Sequence, residues 1–227
     1  MRKLIIQQSL STFPYEKYNY PQTLLRLNHE MMRLTYQRHS AYASAHMFDF
    51  WRIEGSMYPE MAGGGWEKIA LIKKALELDY DFVAWIDADA AVMDFEVDLI
   101  DAIPEGKSFG TALHDAPWFK GLDILPHYNV GVTYWRNTEL SRKFTAEWFA
   151  AYPGSKRWME QGAFNELIDK DEYKDGFHTV DARFNATVNV NLVDNPVVKG
   201  WHGIMPMEKR YGMMKAEMRE DFLKFNT

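Results

Sequence analysis

Cysteine is absent from all 227 residues. Disulfides, thiolate nucleophiles and zinc–thiolate sites are therefore excluded. Long apolar runs are missing as well. The N-terminal run Leu4–Ile6 is too short for a signal-peptide core or a membrane span, and no other stretch approaches about 18 uninterrupted apolar residues. A soluble, cytoplasmic protein is the expectation. Asn185-Ala186-Thr187 fits a glycosylation sequon, but without a secretion signal it reads as chance. Basic excess is also lacking. The chain carries 26 Lys and Arg against 32 Asp and Glu, a net charge of −6. Proteins that grip duplex nucleic acid by neutralising phosphates usually show the opposite balance. The local pairs Lys156–Arg157 and Lys209–Arg210 read as solvated surface. No internal repeat, low-complexity stretch or linker interrupts the chain.

What the sequence does contain is apolar and aromatic. Hydrophobic residues make up 47% and aromatics 15%, with eight Trp. Such a chain buries enough surface to fold, and its length suits one large domain. Individual Trp side chains read first as core, with stacking on a sugar or base as the alternative. Leu4–Ile6 is a buried strand followed by a polar turn over Gln7–Thr12. Apolar residues recur at helical spacing from Gln22 to Gln37, and Ala41–Ile53 is an aromatic-rich strand with its approaches. Gly63-Gly64-Gly65 breaks the chain. Trp66–Leu78 is an amphipathic helix, and Phe82–Ile86 is a strand covered on both faces. A short helix is expected over Asp98–Ile103, with strands over Ser108–Leu113 and Val130–Trp135. Thr138–Tyr152 is a helix with Thr138 as N-cap, stopped by Pro153-Gly154. Met159–Ile168 is a further short helix, Phe177–Val193 holds two short strands, and the tail after Pro206 is helical. Alternating strands and helices predict an α/β fold with a mostly parallel central sheet flanked by helices.

The sharpest feature is Trp85-Ile86-Asp87-Ala88-Asp89-Ala90. On an extended chain, side chains two apart point the same way, so Asp87 and Asp89 are expected to converge just past a buried strand. Ligands in open α/β sheets bind beyond the carboxyl ends of strands. Two close carboxylates favour a cation between them, and Mg²⁺ or Mn²⁺ prefers such oxygen ligands. Small Ala88, Ala90 and Ala91 leave room around the pair. D-x-D alone also occurs on surface turns, and the apolar strand leading into it favours the metal reading.

Around these residues the sequence resembles a known group. Trp66-x-Lys68-Ile69 followed by Trp85-Ile86-Asp87-Ala88-Asp89-Ala90 is similar to the donor-binding half of GT-A fold nucleotide-sugar glycosyltransferases. The likeness is to the galactosyl-, xylosyl- and mannosyltransferase group. Asn129-Val130-Gly131-Val132 with Trp135-Arg136-Asn137, then Trp158-Met159-Glu160-Gln161, then Trp201-His202-Gly203, follow in the family's order. The resemblance spans roughly residues 60 to 205. It implies a single GT-A-like domain over 1–227, with a nucleotide-sugar half over about 1–110 and a sugar and acceptor half over about 111–227.

The resemblance also implies roles. Asp89 would coordinate the metal directly, Asp87 would contact the metal or the donor ribose, and His202 would be the third protein ligand. Lys68 would lie near the nucleotide or diphosphate, its duller reading being a solvated helix Lys. Asn129 and Gly131 would lie by the sugar. Glu160 and Gln161 would face the anomeric carbon and the acceptor, with helix capping as the alternative for Glu160. Gln7, Gln8 and Ser9 follow the first strand, where this fold receives base and ribose. The implied reaction is metal-dependent transfer from a nucleoside-diphosphate sugar, UDP-linked before GDP-linked, with retention of configuration. The acceptor is a glycan before a hydroxylated nucleobase in DNA, on charge. An aspartyl phosphohydrolase or phosphotransferase and a non-catalytic nucleotide-sugar-binding module are the competing readings.

Overall fold

The computed structural model describes residues 1–9, 22–58, 64–115, 126–153, 159–188, 190–191 and 193–225. Gly63, Gly154, Trp158, the pair Lys156–Arg157 and the Leu10–Thr12 part of the expected turn lie outside them.

The described chain runs through β1 (Lys3–Ser9), α1 (Gln22–Ala45), β2 (Phe48–Glu54), α2 (Gly64–Glu77), β3 (Phe82–Ile86) and β4 (Ala90–Val92). It continues with β5 (Phe109–His114), β6 (His127–Tyr128), β7 (Val132–Arg136), α3 (Glu139–Ala150), α4 (Met159–Ile168) and α5 (Asp171–Lys174). β8 (Phe177–Val180), β9 (Ala186–Thr187), β10 (Val198–Gly200) and α6 (Met207–Phe225) complete it, with short 3-10 turns at Leu99–Ala102 and Ala182–Asn185.

Seven strands form the central sheet in the order β2-β1-β3-β7-β5-β6, with β8 also on β5. β1, β2, β3, β5 and β8 point one way, while β6 and β7 oppose them. The sheet is thus mixed, with most strands parallel. β4, β10 and β9 form a small second sheet.

Side-chain alternation explains why the central strands are apolar throughout. Leu4, Ile6, Val83, Trp85 and Trp135 enter one buried cluster with Trp66, Ile69 and Ile72 of α2, Phe144 and Trp148 of α3 and Phe164 of α4. Ile5, Phe82, Ala84, Ile86 and Tyr134 enter the opposite one with Tyr42 of α1, Leu99 and Val198. Successive residues of a strand point to opposite faces, so a strand buried on both sides needs apolar residues at every position. A third cluster joins Met31 of α1, Ala91, Trp201, Ile204 and Met214 of α6. It fixes the last helix beside the small sheet. Thr138 does cap α3, accepting from Ser141 N–H at 3.1 Å while Ser141 Oγ accepts from Thr138 N–H at 3.0 Å.

Some expectations shift. Gln7–Ser9 continue β1 instead of turning, because β2 pairs with them to Ser9. The first helix runs on to Ala45 and takes Ala41 from the expected strand. Thr35, His39 and Tyr42 are fully buried at helical spacing and hold that extension in place. In Phe177–Val193, a 3-10 turn separates the two strands.

Candidate active site

The site lies where β3 ends. Ala90 N–H donates to the Asp87 carbonyl at 3.0 Å, and Asp87 N–H donates to the Gly131 carbonyl at 2.8 Å. Asp87-Ala88-Asp89 is therefore a tight turn into β4, and the expected extended geometry does not occur. The consequence is that each carboxylate meets its own set of partners. β7 explains why Asn129 and Gly131 arrive at the same place. It runs antiparallel to β3, so its first residue Val132 pairs with Ile86, the last of β3.

Asp87 faces α2. Its Oδ1 accepts from Trp85 Nε1 at 2.6 Å and from Lys68 Nζ at 3.1 Å. Lys68 Nζ also donates to the Val130 carbonyl at 3.1 Å and lies 3.5 Å from Glu160 Oε1. The Lys68 side chain is only 4% exposed, so the solvated-surface reading fails. Burial alone would lower its pKa, but the charges of Asp87 and Glu160 outweigh burial and raise it. Burial, with the charge of Asp87 added, raises the Glu160 pKa against the pull of Lys68. Both directions follow from two carboxylates sharing one ammonium. Gly65 makes room for this arrangement, since a Cβ there would collide with the Glu160 carboxylate. Met159, just before Glu160, holds a left-handed φ of 52°. Such strain in a non-glycine residue clusters at functional sites.

Asp89 faces the C-terminal segment. Its backbone carbonyl accepts from Trp201 N–H at 2.9 Å. Its Oδ1 lies 3.3 Å from His202 Nδ1, and its Oδ2 accepts from Arg210 Nη1 at 2.7 Å. Burial alone would raise the Asp89 pKa, but the hydrogen bond and charge of His202 and the charge of Arg210 hold it down at about 2. His202 Nε2 is buried and, among the described residues, has no hydrogen-bond partner. A Cβ on Gly131 would stand 2.9 Å from Asn129 Oδ1, 3.0 Å from His202 Cε1 and 3.2 Å from Asp87 Oδ2. Glycine at 131 thus lets Asp87 and His202 approach the same point.

A pocket of about 310 Å³ opens on these groups, lined among others by Gln8, Asn28, Lys68, Asp87, Asp89 and Glu160. Among the described residues, no group of three or more His, Asp and Glu side chains forms a ready metal cage as they stand. Two tethered cations occupy the carboxylates instead, Lys68 on Asp87 and Arg210 on Asp89. The donor set still suits a hard divalent ion: two carboxylates, and an imidazole whose Nε2 is unpaired among the described residues.

The other expected residues divide. Gln8 lines the pocket and donates to Glu67 Oε2 at 2.8 Å. Gln7 is fully buried, bonding Thr35 Oγ1 at 3.0 Å and reaching the Asp87 carbonyl at 3.4 Å. Ser9 Oγ lies 3.3 Å from His29 Nδ1. Asn129 Oδ1 accepts from Gly131 N–H at 2.9 Å. Gln161 Oε1 accepts from Val130 N–H at 3.2 Å, so it braces the turn between β6 and β7 that carries Asn129 and Gly131. Sequence reasoning missed Asn28, Gly65, Met159 and above all Arg210, all of which line the pocket.

Comparison with known proteins adds the family. The nucleotide-diphospho-sugar transferase profile matches residues 29–219. No curated protein matches the chain by sequence. Among solved structures, the chain is similar to a glycosyltransferase involved in glycosylation of the major capsid of PBCV-1, with a TM-score of 0.66 at 16% identity, covering 95% of this chain and 100% of that one. It is also similar to the galactosyltransferase LgtC in complex with donor and acceptor sugar analogues, with a TM-score of 0.50, 16% identity, and 95% and 96% covered. Mouse xyloside xylosyltransferase 1 gives a TM-score of 0.50 at 12% identity, covering 90% of this chain and 98% of that one. At these identities the likeness shows a shared GT-A fold.

Proposed function

The chain belongs to the nucleotide-diphospho-sugar transferase family, and from that premise we propose a metal-dependent, retaining glycosyltransferase that uses a UDP-linked sugar. Sugar transfer itself follows from the family. The observation that supports the finer reading is the approach of Asp87 and His202 to Gly131, with Asp89 beside His202 and both carboxylates lining a pocket with Lys68 and Glu160. Asp87, Asp89 and His202 would hold Mn²⁺ or Mg²⁺, His202 through the Nε2 that has no partner among the described residues. A divalent ion there supplies positive charge against the developing charge of a leaving diphosphate.

The chain's own groups do the rest. Lys68 is a buried cation facing the pocket and stabilises negative charge on the nucleotide side. Asn129 and Gly131 bring polar backbone and amide groups to the sugar. Glu160 presents a carboxylate toward the anomeric carbon, and Gln161 fixes the turn behind it. The acceptor oxygen bonds to the anomeric carbon as the bond to the diphosphate oxygen breaks, and the hydroxyl proton passes to that oxygen. Attack on the leaving-group face retains configuration. A glycan acceptor is favoured by the acidic net charge of −6 and by LgtC, whose structure holds an acceptor sugar analogue. A cytoplasmic reaction is part of the proposal; among the described residues no helix is long and apolar enough to cross a membrane.

The test is a panel of nucleotide sugars with Mn²⁺, followed by melting temperature and slow donor hydrolysis. One UDP-sugar should raise the melting temperature and be hydrolysed, both only with metal. Asp89→Ala should lower turnover by about a hundredfold or more. Turnover that survives Asp89→Ala at wild-type level, or an inverted linkage in the product, defeats the corresponding part of the reading.

A further inference from the structure

The pocket holds one cation that no sequence motif explains. Arg210 stands in the first turns of α6. Its Nη1 donates to Asp89 Oδ2 at 2.7 Å, and its Nε donates to the Ile204 carbonyl at 3.2 Å. The Arg210 side chain is 14% exposed and that of Asp89 is 9% exposed. This is a desolvated pair inside the pocket, unlike a surface bridge of little weight. Both oxygens of Asp89 are in use, Oδ1 with His202 and Oδ2 with Arg210.

That occupancy conflicts with a metal on Asp89. A divalent ion seated on this carboxylate would stand a few ångströms from the guanidinium, in surroundings that screen poorly. Like charges so close repel strongly under such conditions. The two cations therefore exclude each other at Asp89. The guanidinium also has somewhere to go, because Arg210 lines the same pocket as Lys68 and Gln8. A planar fork of donors matches phosphate oxygens.

We infer that Arg210 is a resident counter-ion for Asp89, exchanged for the metal when the donor arrives, and that the released guanidinium then pairs with the donor's diphosphate. The inference rests on the metal reading given above. It has two consequences. Without donor, a buried carboxylate stays neutralised, so the empty protein avoids an unpaired buried charge. Metal and nucleotide also bind interdependently: metal alone must evict Arg210 with no new partner for it, whereas metal with nucleotide gives the guanidinium a phosphate.

The test titrates Mn²⁺ by calorimetry into wild type, Arg210→Gln and Arg210→Lys, first alone and then with saturating UDP. Arg210→Gln should bind Mn²⁺ alone about tenfold more tightly than wild type, because no cation has to leave. UDP should tighten Mn²⁺ binding strongly in wild type and by about tenfold less in Arg210→Gln. Mn²⁺ should also raise the melting temperature of Arg210→Gln more than that of wild type. Adding Asp89→Asn should abolish the gain in Mn²⁺ affinity. Should Arg210→Gln not fold, Arg210→Lys decides: tighter Mn²⁺ with weaker UDP coupling supports the exchange, and wild-type values refute it. Equal or weaker Mn²⁺ affinity in folded Arg210→Gln overturns the exchange and leaves the metal reading standing. No Mn²⁺ binding by any of the proteins, with UDP still bound, overturns the metal reading and the exchange with it.

Discussion

Glu160 owes its place to a residue with no side chain. Gly65 leaves the space the carboxylate fills, and Lys68, three positions on, supplies the charge that holds it. Gly65→Ala should push Glu160 off Lys68 and lower kcat by about a hundredfold, the scale of a misplacement near 1 Å. The melting temperature should fall, since Gly65 stands in the first turn of α2, where alanine gains little, and displacing Glu160 breaks a buried ion pair. Steady-state rates and a thermal melt check both, and unchanged kcat would show that the placement of Glu160 is not used. At this scale the sequence was informative where residue type and context coincided. Asp87 and Asp89 stood out because an apolar strand ran straight into them. Their geometry was misjudged, because the chain turns there and sends them to Lys68 and Arg210. Arg210 was hidden in a charged pair that reads as surface. The sequence carries one hint: Met214 lies four positions on, so Arg210 shares a helical face with an apolar residue.

Between elements, the turn that carries the aspartates is steadied by a neutral histidine. His39 of α1 lies 3.1 Å from Gln7 Oε1 of β1 through Nδ1, and its Nε2 accepts from Val92 N–H of β4 at 3.2 Å. A protonated ring would turn an N–H against the Val92 N–H. Burial, with the charge of Arg38 added, lowers the His39 pKa to about 3. The folded value lies below the unfolded one, so the unfolded chain takes up the proton first as pH falls. Stability is therefore lost below about pH 6.5 and continues to fall toward pH 3, by about 3 kcal/mol from His39 between pH 7 and pH 4. His114, lowered to about 3 by burial and then by His202 and His127, adds to the same slope. Urea midpoints at several pH values should show His39→Gln less stable than wild type at pH 7 but with a flatter acid limb. An unchanged slope would mean that His39 titrates normally. Sequence reading found the long elements, whose apolar spacing is repeated enough to count. It missed β4, β6 and β10, because runs of two or three residues have no period to detect.

For the molecule as a whole, the expected layering of helices on both faces of a sheet is present, but strand direction was not readable. An apolar run looks the same whether its neighbour runs with it or against it, so antiparallel β7 was invisible beforehand. The family match removes the phosphohydrolase and binding-module readings in favour of sugar transfer. Long-range packing seats the last helix: Met214 is buried against Met31, Trp201 and Ile204. Met214→Ala should lower stability by about 2–5 kcal/mol, measured by chemical denaturation. It should also weaken donor binding, because the same helix carries Arg210. A large stability loss with unchanged donor affinity would separate α6 from the site.

His202 and Arg210 lie 113 and 121 residues downstream of Asp89. During synthesis the aspartate therefore leaves the ribosome long before either of the groups that neutralise it. A chain interrupted before His202 would have most of its sheet and Lys68 in hand, yet lack the imidazole and the guanidinium. On the proposed reading, a product that stops short of residue 202 would transfer no sugar, because neither partner of Asp89 would have been made.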